Sequence, residues 1–220
     1  MATSRLVILI SGTGSNMEAL IRACSTGEVD ARTVAVISNK PDAGGLAIAD
    51  NAGIDTDVVD HRGFPDRETF DNALAERIEA YQPDLVILAG FMRILTTGFV
   101  RRFSGRLMNI HPSLLPKYPG LNTHKRAIEA ADSEAGATVH FVTEQLDGGP
   151  AIVQGRVPVL ADDTPASLAN RVLAVEHRLY PLAVQLFCNG RLTMNERGAV
   201  LDGQLLPESG LGLEQLSPNT

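Results

Sequence analysis

Tryptophan is absent from this 220-residue chain, cysteine occurs twice, and lysine occurs only as Lys40, Lys117 and Lys125. Cys24 and Cys188 lie far apart in apolar or helical surroundings, so they read as buried free thiols in a reducing compartment and argue against a disulfide framework. Few lysines and a formal net charge of −7 argue against non-specific nucleic-acid binding, which needs clustered Lys and Arg. Long apolar runs are missing too. Leu6 to Ile10 has the length of a strand, far short of the roughly 18 residues of a membrane span. His61, His124, His140 and His177 form neither H-E-x-x-H nor a paired Cys/His spacing, so no metal is expected. Ser15 and Ser113 lack a nucleophile-elbow sequence, which disfavours a serine hydrolase. The expectation is a soluble cytoplasmic protein that binds anions through backbone amides and single arginines, with no nucleic-acid or membrane partner.

What is present is an alternation of short apolar runs with longer amphipathic stretches. Leu6–Ile10, Val34–Ser38, Asp57–Val59, Leu85–Ala89 and Leu107–Ile110 read as strands with helical patterns between them. That rhythm predicts βαβ units: an α/β fold with a mostly parallel, Rossmann-like open sheet and helices on both faces. In the helix near 66–81, Phe70, Leu74, Ile78 and Tyr81 recur at helical spacing before Pro83. After His111 the rhythm changes. Residues 136–143 and 151–159 read as two strands joined by a turn at Asp147-Gly148-Gly149, an antiparallel C-terminal addition. A last helix starts at Thr164-Pro165, with the stripe Leu168, Val172, Val175, Leu179, Leu182 and Leu186 and an expected kink at Pro181. Residues 1–207 read as one domain and 208–220 as a flexible tail.

Chemistry concentrates in Asn109-Ile110-His111-Pro112. A strand sends residues i and i+2 to the same side, so Asn109 and His111 can converge on one reacting group, and Pro112 cannot continue the ladder. An amide and an imidazole so placed suit acyl transfer, with donors aimed at a developing oxyanion. Asp147 offers a carboxylate to orient the imidazole and hold its proton, or it is only a turn former. Ser11-Gly12-Thr13-Gly14-Ser15-Asn16 follows the first strand and opens a helix. Glycines admit an anion close to the backbone and the helix amino terminus favours it, so one phosphate is the expected ligand; the alternative is an ordinary tight turn. Met17 leaves the dinucleotide pattern incomplete, and no P-loop lysine follows. Phe91 to Leu95 can wall a flat aromatic ligand or simply form a hydrophobic helix entry. Glu176 reads by default as a surface carboxylate.

Taken in order, SGTGSN at 11–16, FMRIL at 91–95, NIHPSLLPKYPG at 109–120, HFVTEQLDGGP at 140–150 and EHRLYP at 176–181 resemble the folate-dependent glycinamide ribonucleotide formyltransferases of purine synthesis. The resemblance spans nearly the whole chain. It implies transfer of a formyl group from 10-formyltetrahydrofolate, a co-substrate, to the amine of glycinamide ribonucleotide, by a monomer or homodimer. It implies that His111, Asn109 and Asp147 are the catalytic group, that Gly14, Ser15 and Asn16 cradle the phosphate, and that Glu176 accepts from the ribose hydroxyls. Met92 and Pro112 would border the nucleotide's amine end. Arg67, Met92, Arg93, Ile94, Leu95, Asn109, Thr143, Glu144, Gln145, Leu146 and Asp147 would contact the folate. In one departure, Leu173 stands where many members place a polar or basic side chain near the phosphate.

The mechanism expected of such a trio is direct amine attack on the formyl carbon. Asn109 and a protonated His111 would stabilise the tetrahedral intermediate, and a water assisted by Asp147 would carry a proton from the amine to the folate nitrogen. The rivals are a formyltetrahydrofolate hydrolase, for which an extra N-terminal domain would be expected, a methionyl-tRNA formyltransferase, for which a basic C-terminal domain would be expected, and a non-catalytic nucleotide-binding module.

Overall fold

The computed structural model describes residues 3–216. Two compact units divide between Asn109 and Ile110. In the first, the apolar runs become strands β1 (Ser4–Ile10), β2 (Ala31–Ser38), β3 (Asp55–Val58), β4 (Leu85–Leu88) and β5 (Leu107–His111), the last crossing the boundary. All neighbours pair in parallel, in the order β5-β4-β1-β2-β3. Leu6 to Ile10 and Leu85 to Ile87 have no solvent exposure, as expected of strands covered on both faces. β3 begins earlier than its apolar signal because it is the edge. Asp55 and Thr56 are exposed, and a charged edge resists pairing with another chain.

Helices α1 (Ser15–Ser25), α2 (Gly45–Asn51), α3 (Arg67–Ala80) and α4 (Thr97–Arg102) connect these strands. The Asp66 carboxylate caps α3 by accepting from the Thr69 N–H at 2.8 Å, and Phe70, Leu74 and Ile78 are fully buried. The parallel strands therefore end, on their carboxyl side, in the loops that hold the glycine turn and Phe91 to Leu95.

In the second unit β6 (Glu134–Phe141) pairs antiparallel with β7 (Ala151–Pro158), as the sequence predicts. Their connection is the nine-residue segment 142–150 rather than a tight hairpin. Helix α5 (Thr123–Glu129) precedes β6, and α6 (Pro165–Cys188) packs on both strands. Thr164 caps α6 reciprocally with Ser167, through bonds of 3.1 and 2.9 Å. Leu168, Val172, Leu179 and Leu186 are buried, Val175 and Leu182 half-buried, and Pro181 lies inside the continuous helix.

A small antiparallel sheet follows, of β8 (Leu192–Asn195), β9 (Gly198–Leu201) and β10 (Gln204–Leu205), which the sequence reading does not anticipate. In the stretch read as a tail, β11 (Leu211–Gly212) pairs in parallel with β7 and α7 spans Leu213–Leu216; residues 217–220 lie outside the described residues. Neither cysteine is in a disulfide, and both are half-buried rather than buried. Among the described residues no helix is long and apolar enough to cross a membrane.

Candidate active site

In the first unit β1 runs into Ser11 and the glycine turn. Gly14 caps α1 with φ 77°, a left-handed conformation that a side chain disfavours. A Cβ on Gly14 would lie 3.0 Å from both the Cα of Gly45 and the Cε of Met17, so the turn is packed as well as bent. The Gly45 N–H donates to the Gly12 carbonyl at 3.0 Å, tying the turn to the start of α2. Ser15 and Asn16 open α1, an eleven-residue helix whose free amides and dipole favour an anion. Ser15 is half-buried and Asn16 is buried.

The loop after β4 lies in the same unit. The Met92 N–H donates to the Ser11 hydroxyl oxygen at 2.8 Å, so the glycine turn and the 91–95 loop share a hydrogen bond. Met92 and Ile94 expose 68% and 53% of their surface, a share too large for a packed helix entry and suited to a contact wall. Leu95 is half-buried. The Arg93 guanidinium lies 4.8 Å over the Phe70 ring, held by α3, whose first residue is the exposed Arg67. Asp71, next to Phe70 and 1% exposed, accepts from the Thr96 N–H at 2.6 Å. The α3 surface thus grips the loop at two points.

In the second unit His111, 5% exposed, ends β5. Its Nε2 lies 2.9 Å from the Tyr118 carbonyl and its Nδ1 3.5 Å from Asp147 Oδ2. Both ring nitrogens therefore face acceptors, and only the doubly protonated imidazolium can donate to both. Asp147 has φ 50°, and its Oδ2 also accepts from the Gly120 N–H at 2.8 Å. The Asp-Gly-Gly turn is thus more than a chain reversal. Gly149 is obligatory here, since a Cβ would lie 1.8 Å from the Phe141 carbonyl oxygen. Pro112 follows His111 directly and is half-buried. Beyond the turn a cavity of about 390 Å³ is lined by Pro116, Asp147, Gly149, Arg197 and Leu206.

One member of this cluster is given no role in the site by the sequence. His140, 2% exposed, places Nε2 4.0 Å from Asp147 Oδ1, while its Nδ1–H donates to the Phe141 carbonyl at 2.9 Å. Burial pushes its pKa down to about 4, against smaller opposing effects of the Phe141 carbonyl and the Asp147 charge. His140 is therefore neutral near pH 7 and leaves the negative charge of Asp147 to His111. The available signal was alternation: Thr138 and His140 share one side of β6, and Thr138 is fully buried.

Asn109, half-buried, pairs with Leu88 in the β4–β5 register two residues before His111. Thr143 is half-buried and Glu144, Gln145 and Leu146 are exposed on the segment leading into Asp147. Glu176 lies mid-way along α6 and is 7% exposed, so it is a buried carboxylate and not the surface one expected by default. Among the described residues, no group of three or more His, Cys, Asp or Glu side chains is placed to hold a metal ion.

An imidazole set between a carboxylate and a carbonyl can, once protonated, donate to a developing oxyanion, which suits acyl transfer. Residues 4–184 match the model of the formyl transferase family, and the chain belongs to that family. It is 51% identical to the phosphoribosylglycinamide formyltransferase of Escherichia coli strain K12 over 210 residues, 96% of this chain and 99% of that one. It is 50% identical over 188 residues to the trifunctional purine biosynthetic protein adenosine-3 of Drosophila melanogaster, a match covering 84% of this chain and 14% of that longer protein. The solved phosphoribosylglycinamide formyltransferase of Coxiella burnetii superposes with a TM-score of 0.92 at 46% identity, over 96% of this chain and 99% of that one.

Proposed function

We propose that the chain transfers the formyl group of 10-formyltetrahydrofolate to the primary amine of glycinamide ribonucleotide, releasing tetrahydrofolate and the formylated nucleotide. The observation that carries this reading is the buried His111–Asp147 pair, in a chain 51% identical to an enzyme named for this substrate. Gly14, Ser15 and Asn16 take the nucleotide's phosphate through main-chain amides, and Glu176 accepts from its ribose hydroxyls. Met92 and Pro112 border the amine end. Arg67, Met92 to Leu95, Asn109 and residues 143–147 contact the folate.

The neutral amine attacks the formyl carbon, and the carbonyl oxygen takes the electron pair. The Asn109 amide and the His111 imidazolium donate to that oxygen. In the state described, His111 Nε2 is engaged by the Tyr118 carbonyl, so this donation requires the main chain at Tyr118 to yield its place. Asp147, with Oδ2 3.5 Å from Nδ1, orients the ring. Collapse of the intermediate breaks the bond from carbon to N10, which receives the proton lost by the amine, relayed by water against the Asp147 carboxylate. No covalent bond to the protein forms.

The test is to follow formyl loss from 10-formyltetrahydrofolate with and without the nucleotide and to identify the product. Transfer predicts loss only with the nucleotide and one formylated nucleotide per tetrahydrofolate. Formate release in its absence would mean hydrolysis, and no loss under either condition would mean a binding module.

A further inference from the structure

Four loops at the carboxyl ends of β1 to β4 are joined by a chain of hydrogen bonds, buried at Ser11–Asn39 and part-buried at its ends, that the transfer chemistry does not use. The Met92 N–H donates to Ser11 Oγ at 2.8 Å, and that hydroxyl donates to Asn39 Oδ1 at 2.6 Å. Nδ1 of His61 lies 2.9 Å from the Asn39 carbonyl, a contact its protonated tautomer makes as donor. The Ser11 N–H donates to the Gly90 carbonyl at 3.2 Å. Ser11 is 6% and Asn39 1% exposed, so water has little access to replace either partner. The Ser11 hydroxyl is thus fixed by one bond accepted and one donated, and its loss strands both an amide and an amide oxygen.

Its place in the chain makes this consequential. Ser11 leads directly into the Gly12–Asn16 turn, which has no slack because Gly14 packs against Gly45. Met92 begins the exposed loop that the proposed function assigns to the folate, and the inference rests on that assignment. We infer that Ser11 is a positioning residue that couples the phosphate cradle to the main chain at Met92, so that a phosphate held in the cradle steadies the folate-facing loop. An ordinary buried serine would stabilise the fold without linking the two ligands.

Amide hydrogen exchange in the wild-type protein, with ribose 5-phosphate as the probe, reads the coupling without any transfer chemistry. The sugar phosphate should slow exchange at Gly14, Ser15 and Asn16, and at Met92 by about tenfold or more. Protection at the cradle without protection at Met92 overturns the coupling alone. No protection at the cradle removes the phosphate assignment and the coupling together, whatever the transfer assay gives. In Ser11→Ala the Met92 amide should exchange fast with or without the probe. Folate KM should then rise about tenfold while kcat stays within about threefold. Ser11→Thr, which keeps a hydroxyl, should restore KM to within about threefold of wild type; failure of that rescue, or a fall in kcat with KM unchanged, counts against positioning.

Discussion

Under the proposed function, the first unit grips with its backbone, whereas the second works with side chains. In that reading the ligands of the first unit meet main-chain amides at Gly14 to Asn16 and at Met92, set by glycine turns that follow the buried strands β1 and β4. From His111 onward the chemistry is carried by an imidazole, a carboxylate and a second imidazole held among themselves and by carbonyl and amide groups of the segments after β5 and at the end of β6. Tyr118, Asn122 and Asp147 all have positive φ there. A backbone cradle would let an acidic chain with three lysines bind a phosphate without a basic surface. A proton-handling group needs side chains whose charge the fold controls. Asn109 is the exception on the first side, a side chain at its very end.

The strongest way to break this contrast is to delete the side chains. His111→Ala and Asn109→Ala should each lower kcat by about 10²- to 10³-fold, or roughly 2.7–4 kcal/mol, while circular dichroism and Tm show a folded protein. Near-wild-type turnover in either variant sinks the assignment. Asp147→Asn keeps an oxygen for the Gly120 N–H but removes the charge opposite His111, and it should fall by a similar factor. Steady-state kinetics with both substrates saturating is the measurement.

How much could be read beforehand divides along the same line. Periodicity located every strand of the first unit to within a few residues, because buried parallel strands are written as continuous apolar runs. Thr164-Pro165 announced α6 because a cap is a local bond between near neighbours. The β8–β10 sheet was missed although Asp202-Gly203 is a hairpin signal; Asp202 at φ 50° and Gly203 at φ 81° fit that turn. The apolar residues flanking it are too few and too short in run to stand out. In the second unit, residues 111, 118, 120, 140 and 147 meet through loops, and the alternation that puts His140 on the buried side of β6 says nothing of its charge or of the carboxylate it faces. The burial of Glu176 escapes the sequence for the same reason, since burial of a carboxylate on an amphipathic helix depends on what covers it.

His140 sharpens the contrast through pH. Its folded pKa of about 4 lies below the reference of about 6.5, so the unfolded chain binds the proton more readily between these values. Stability should therefore be full above pH 6.5 and fall as pH drops towards 4, by on the order of 3 kcal/mol at most. The salt-bridged carboxylates Asp60 and Asp163, held below the usual range by Arg62 and Arg171, act at lower pH, whereas burial also lowers the pKa of the half-buried His124, which adds to the slope with the same sign. Urea unfolding between pH 7.5 and 4.5 measures the slope. A His140→Gln variant should make it shallower, with His124 left to supply the rest, and an unchanged slope would show that the proton goes elsewhere.

The smallest expected effect tests the backbone side. Gly14→Ala adds one methyl group at φ 77°, where it meets Gly45 and Met17 at 3.0 Å. The left-handed strain costs about 1 kcal/mol of stability, seen as a Tm lower by a few degrees. If the cradle acts through amide geometry, the nucleotide KM should rise about tenfold, roughly 1.4 kcal/mol, with kcat nearly unchanged, because phosphate binding is shared by ground and transition states. The folate KM should rise less, since only the tie through Ser11 reaches Met92 from this turn. Equal increases in both constants would mean that the methyl group deforms the whole loop set and not the cradle alone. A fall in kcat with neither KM changed would place Gly14 outside ground-state binding, and the division between a gripping unit and a reacting one would fail there.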